Sequence, residues 1–134
     1  MRKYSNLELK VADARNTELE PIFDYSICMN NTLGNIEDKD LVVGELRRVI
    51  KSKGLIIAGL YSENSIDARI EWYERTGLQI QLVAEDHIQT FEGFKSWHFS
   101  GDKIHELFGD CLIFNIGLVG YFVIFQKQGK LDIS

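Results

Sequence analysis

The strongest constraint on this chain is a junction between two patterns. Across residues 38–51 the apolar side chains Leu41, Val42, Leu46, Val49 and Ile50 recur at three- and four-residue spacing, which marks a helix with one apolar side. Residues 55–60 (LIIAGL) follow at once as an unbroken apolar run. A strand without alternation is one buried on both faces, the usual state of a parallel strand between helices. Glu37 and Asp38 stand near the predicted helix start, and Arg47, Arg48, Lys51 and Lys53 near its end. That order of charge complements the macrodipole. Gly54 lies just past the end, where a helix commonly takes a glycine.

The remaining elements fit around this junction. Residues 7–12 (LELKVA) alternate and predict a half-buried strand, followed by turn chemistry at Asp13-Ala14-Arg15-Asn16. Residues 23–29 (FDYSICM) predict an internal strand, and residues 30–35 a polar loop. Residues 66–76 predict a second helix stopped by Gly77, residues 80–83 a short strand, and residues 91–99 an extended aromatic stretch. A short helix is predicted over 102–107, then two strands over 111–117 and 120–127 with a glycine-containing turn between them. There is no internal repeat. The order predicts an α/β fold in one domain, 1–134, with a mixed sheet ending in an antiparallel hairpin.

Composition removes several classes of function. The net charge of −5 repels a phosphate backbone, and the basic run reads as a helix end, so no nucleic-acid partner is expected. The apolar run 111–125 is shorter than a bilayer span and holds Asn115, Gly117 and Gly120; it predicts strand, turn and strand, with no membrane partner. The N-terminus has no apolar signal-peptide core. Cys28 and Cys111 sit in apolar runs and read as buried thiols of a cytoplasmic protein. His87, His98 and His105 have no metal-ligand spacing with either cysteine, so no metal site is expected. Ser96, His98 and Asp102 invite comparison with a hydrolase triad, but no nucleophile-elbow sequence surrounds Ser96.

Several segments, in order, resemble the class I S-adenosylmethionine (SAM)-dependent methyltransferases. Val11-Ala12-Asp13-Ala14 resembles their strand-end acid–Ala motif, residues 23–29 the next core strand, and residues 30–36 the loop after it, similar to that of glycine N-methyltransferase-like enzymes. Residues 45–54 resemble the family's helix and glycine turn, with Ser52-Lys53 where proline and glycine are common. Residues 96–107 and 121–127 resemble, more weakly, the approach to the last two strands and the terminal strand. The resemblance implies a partial Rossmann-like methyltransferase fold with its first two strands absent, because nothing here matches the glycine-rich cofactor loop or the ribose-binding acid. The third strand of the family would then be residues 7–12.

The resemblance also implies roles. The Asp13 carboxylate would accept from the adenine amino group, and the Ala14 N–H would meet the ring. Asn30 and Asn31 would flank the methionine part of the cofactor. Thr32, Tyr61 and His98 would face a small-molecule acceptor, with Ser62 beside Tyr61. No catalytic residue is assigned, since the sulfonium is already activated and transfer is chiefly alignment. Against these stand plainer readings: an Asx turn for Asp13, a helix-capping loop for 30–32, and ordinary loop residues at 61 and 62. In the family's sheet order, 3-2-1-4-5-7-6, loss of strands 1 and 2 leaves residues 23–29 as an open apolar edge. A homodimer, or a separate protein carrying the front half, is expected to cover it. Alone, the chain is expected to be inactive. The alternative is a non-catalytic assembly module that dimerises through that edge.

Overall fold

The computed structural model describes residues 5–128. Its elements are β1 (Phe23–Cys28), α1 (Lys39–Arg48), β2 (Ile50–Tyr61), α2 (Ile66–Arg75), β3 (Ile80–Val83), β4 (His87–Thr90), β5 (Lys95–Trp97), α3 (Gly101–Phe108), β6 (Leu112–Ile116) and β7 (Gly120–Gln126). The main sheet has the order β1-β2-β7-β6. β1 runs parallel to β2, and β7 is antiparallel to both β2 and β6. The mixed α/β sheet with a terminal hairpin is therefore present, and its order matches the 4-5-7-6 half of the family's arrangement. A second, antiparallel sheet, β3-β4-β5, is inserted between β2 and β6.

The register sorts the main sheet into two faces. One face carries the rows Ser26–Ile56–Phe125, Cys28–Ala58–Val123–Ile113 and Leu60–Tyr121. It packs against Val42, Val43 and Val49 around α1, Ile104, Leu107 and Phe108 of α3, and Leu33 of a one-turn 3-10 segment. Ile56, Ala58, Val123, Ile104 and Phe108 are fully buried there. The other face carries Tyr25–Leu55–Gln126, Ile27–Ile57–Ile124–Leu112, Gly59–Phe122–Phe114 and Tyr61–Gly120–Ile116. Leu55, Ile57, Phe122 and Ile124 in its middle are only half-buried, and Tyr25, Ile27, Leu112, Phe114 and Ile116 at its flanks are exposed.

Three expectations are corrected. Residues 7–12 form no strand: the stretch is irregular, and Leu9 and Val11 lie in solvent. Alternation predicts a strand only where a neighbour accepts its hydrogen bonds and something covers its apolar side, and the described residues supply neither. The helix ends at Arg48, and Lys51 and Lys53 belong to β2 rather than to a helix end. Gly54 therefore lies inside the strand, where the β1–β2 register shifts and Lys53 takes a positive φ of 66°. A Cβ at Gly54 would come within 2.8 Å of the Lys51 carbonyl and 2.9 Å of the Asp24 carbonyl, so close backbone approach selects the glycine. Residues 91–99 are not continuously extended. They turn at Gly93 (φ 91°) before β5, completing a hairpin with β4.

Candidate functional site

The carboxyl ends of β1 and β2, where open α/β sheets receive ligands, are joined by one side chain. Asn30 and Asn31 both take left-handed backbone conformations (φ 58° and 55°), which asparagine tolerates better than most residues. This turn drives the buried Asn31 inward. Its N–H donates to the Gly59 carbonyl at 3.0 Å, its Oδ1 accepts from the Tyr61 N–H at 2.9 Å, and its Nδ2 donates to the Trp97 carbonyl at 3.1 Å. A side chain on Gly34 would overlap the Asn31 amide, so the loop leaves that space free. Thr32 closes the turn by donating from Oγ1 to the Met29 carbonyl at 2.7 Å. Asn31 thus ties the parallel pair β1 and β2 to the small sheet, while Asn30 and Thr32 are exposed.

Beside this tie lies a cleft of about 1040 Å³ between the start of α1, the start of α3 and the small sheet. Its walls include Lys39, Glu63, Asp86, Trp97, His98 and Lys103. His98 is buried and spent on protein contacts. The Arg69 guanidinium, which can only donate, meets Nδ1 at 3.0 Å, so Nδ1 accepts. Nε2 then carries the proton and donates to the Glu85 carbonyl at 2.6 Å. Arg69 also donates to the Ser96 carbonyl (2.7 Å) and hydroxyl (2.6 Å) and lies 4.7 Å from the Tyr61 ring. Ser96 is therefore held by Arg69 and fully buried, not poised as a nucleophile. Ser62 is likewise buried, donating to the Leu118 carbonyl and capping the turn at Asn64.

The functional candidate that sequence reasoning missed is Lys39. Its sequence neighbours, Asp38 and Asp40, make it look like part of a solvated helix start. In the structure it is 8% exposed, donates to the Ile36 carbonyl at 2.7 Å and sits 3.4 Å from the Trp97 ring centroid, a cation–π contact. Burial lowers its ammonium to about 8, against the pull of Asp86. Sequence alone gave no signal for this, because the Trp97 that covers Lys39 arrives from β5.

Asp13 and Ala14 lie on a different part of the surface. Asp13 makes an Asx turn: Oδ1 accepts from the Arg15 N–H at 2.9 Å, and the Arg15 guanidinium holds both carboxylate oxygens. Those bonds hold the Asp13 carboxyl down to about 2. Ala14 and Thr32 do come together, lining a cavity of about 260 Å³ with Ile27, Cys28, Met29 and Glu45. Glu45 is buried and fixes the segment above by accepting from the Thr17 N–H and Oγ1, with Arg48 on its other side.

The architecture matches solved structures closely. A SAM-dependent methyltransferase from Methanosarcina mazei superposes with a TM-score of 0.64 at 16% identity, over 89% of this chain and 66% of that one. The fold is class I SAM-dependent methyltransferase-like. A Pyrococcus horikoshii protein gives a TM-score of 0.67 at 18% identity, over 92% of this chain and 63% of that one. The 1,6-didemethyltoxoflavin-N1-methyltransferase of Burkholderia thailandensis, solved with 1,6-didemethyltoxoflavin and S-adenosylhomocysteine, gives 0.59 at 10% identity, over 87% and 48%. At these identities the shared property is the fold, and the chain spans less than two thirds of the length of each. No protein-family model and no curated protein matches the sequence. Among the described residues no helix is long and apolar enough to cross a membrane.

The methyltransferase-like fold allows a direct test of fit to SAM. The cavity at Ala14 offers an apolar slot, but at about 260 Å³ it lies below the range of about 300–1,000 Å³ typical of small-molecule pockets. The carboxylate beside it is taken by Arg15. The sequence has no Gly-x-Gly-x-Gly stretch. The described residues do not by themselves fit the whole cofactor.

Proposed function

We propose that this chain forms the acceptor-side half of a small-molecule SAM-dependent methyltransferase and transfers no methyl group by itself. The observation that carries this reading is the Asn31 tie, which fixes a large cleft at the carboxyl ends of two parallel strands on a methyltransferase-like fold. The cleft would hold the acceptor, with Lys39 and Glu63 in its wall and His98 bracing it. Asp13, Ala14 and Asn30 would face the cofactor, with Asn31 holding the loop between them and β2. The glycine-rich loop would come from polypeptide outside these 134 residues. Calorimetric titration of the chain with S-adenosylhomocysteine tests this. The expected result is no measurable heat. Micromolar affinity, about −8 kcal/mol, would sink the half-site reading.

A second reading has its own support. β1 is an open edge of the sheet, bearing the exposed Phe23, Tyr25 and Ile27. An apolar edge of this kind pairs readily with another chain. A non-catalytic assembly module would use it directly.

A further inference from the structure

We propose that Lys39 is a covalent site for a carbonyl compound, an aldehyde or a ketone, which it takes as an imine in the cleft between α1, α3 and the small sheet. This goes beyond methyl transfer and does not rest on it, because the chemistry belongs to the amine itself.

Lys39 combines two properties that seldom meet in one lysine. It is 8% exposed, and it lines a cleft of about 1040 Å³. A buried amine that opens onto such a space can meet a small molecule without first crossing the protein. Its ammonium donates to the Ile36 carbonyl, and the Trp97 ring of this same chain covers another side of it. The carboxylates whose charge reaches it most, Asp86, Glu37 and Asp38, are engaged elsewhere. Asp86 holds His87 at 2.7 Å, Asp38 holds Arg15 at 2.9 Å, and Glu37 faces Lys95 at 3.9 Å. Among the described residues Lys39 has no ion pair of its own to keep its proton in place.

Two effects turn a lysine into a nucleophile near neutral pH: loss of water around the ammonium, and a second cation nearby. Both act on Lys39. Burial is the larger, and Lys103 on the rim adds to it, so that the ammonium is lowered to about 8. Loss of the proton also ends the cation–π attraction to Trp97. The event that arms the amine therefore frees it to turn into the cleft.

The step balances without an oxidant or a reductant. The Nζ lone pair attacks the carbonyl carbon, a C–N bond forms, and the π electrons of the C=O bond pass to oxygen. One proton moves from nitrogen to that oxygen through water, giving a carbinolamine. The hydroxyl takes a second proton and leaves as water while the nitrogen lone pair closes the C=N bond. The iminium nitrogen then gives one proton back to water.

Glyoxylate with sodium cyanoborohydride, applied to the whole chain, tests this. The reductant delivers hydride to the imine carbon and fixes a carboxymethyl group on the lysine, which digestion and mass spectrometry assign to a position. Near pH 8 Lys39 is expected to be trapped about tenfold faster than Lys95 or Lys103. That ratio should fall as pH rises past about 8, where Lys39 already has its neutral form and solvated lysines are still gaining theirs. Lys39→Arg keeps a cation under Trp97 and removes the nucleophile. It should abolish the fast-trapped fraction with an unchanged far-ultraviolet dichroism spectrum. Trapping at Lys39 no faster than at Lys103 overturns the proposal, and so does a ratio that stays flat with pH. Protection of Lys39 from acylation by oxalate as strongly as by glyoxylate, with no trapped adduct, overturns it as well, since Lys39 is then a charged anion site. Calorimetry with S-adenosylhomocysteine reads the functional proposal separately from any of these results.

Discussion

The two faces of the main sheet are made by the same strands, and residues one apart on β2 meet opposite fates. Ile56 and Ala58 are fully buried under α1 and α3, while Ile57 between them is only partly covered. Their apolar character is equal, so burial here is set by what the chain lays over a face and not by the strand's own composition. Among the described residues the core helices α1 and α3 pack on one face of this sheet.

Phenylalanine allows the sharpest test of that contrast. Phe108→Ala, under the sheet, is expected to cost about 3–5 kcal/mol at any protein concentration, measured by denaturant unfolding. Phe114→Ala, on the face that the helices leave open, should cost under about 1 kcal/mol. Equal costs in dilute solution would mean that something in the chain covers both faces. Asn31→Ala tests the tie at the sheet's end. Loss of two side-chain hydrogen bonds and of a residue suited to positive φ should cost about 1–2 kcal/mol, with hydrogen exchange rising in both β2 and β5. Asn31→Gly restores only the backbone freedom and should recover part of the loss. An effect confined to β2 would show that the small sheet is held by other contacts.

Smaller effects probe the covered side. Glu45 has its carboxyl lowered from 4.5 to about 2, chiefly by hydrogen bonds from Arg48. A carboxyl lowered on folding contributes stability that is fully present above about pH 4.5 and is lost as pH falls towards 2. Glu45→Gln should therefore lower the melting temperature at pH 7 by a few degrees, and the two proteins should converge near pH 2. Lys39, lowered to about 8, should be acylated at pH 8 faster than Lys103 on the exposed rim once corrected for access. A small molecule bound in the cleft should slow the acylation of Lys39, as read by mass spectrometry.

Much of this was legible from the residues. The junction at α1 and β2 gave the parallel pair, and the glycine-centred run near the C-terminus gave the β6–β7 hairpin. The open edge at β1 followed from the family's strand order. Residues 7–12 misled because alternation records a preference that only a neighbouring strand can satisfy. Gly54 misled because a glycine ending a helix and one admitting a close carbonyl look alike in sequence. The site was harder to read. Asn31 was singled out, yet its partners Tyr61 and Trp97 lie 30 and 66 residues away. The pairing of Arg69 with His98 and the cover of Trp97 over Lys39 likewise depend on an inserted sheet that local patterns did not announce.

The ladder between β2 and β7 joins residues about sixty to seventy positions apart, from Tyr61 with Gly120 to Leu55 with Gln126. Contacts of that span close a large loop before they return any energy, and they slow folding. While the chain is being synthesised, β1 and β2 emerge long before β7. For that interval β2 has one partner and an unpaired edge. This makes the newborn chain a demanding client for chaperones, and that vulnerable period ends only when the last strand arrives.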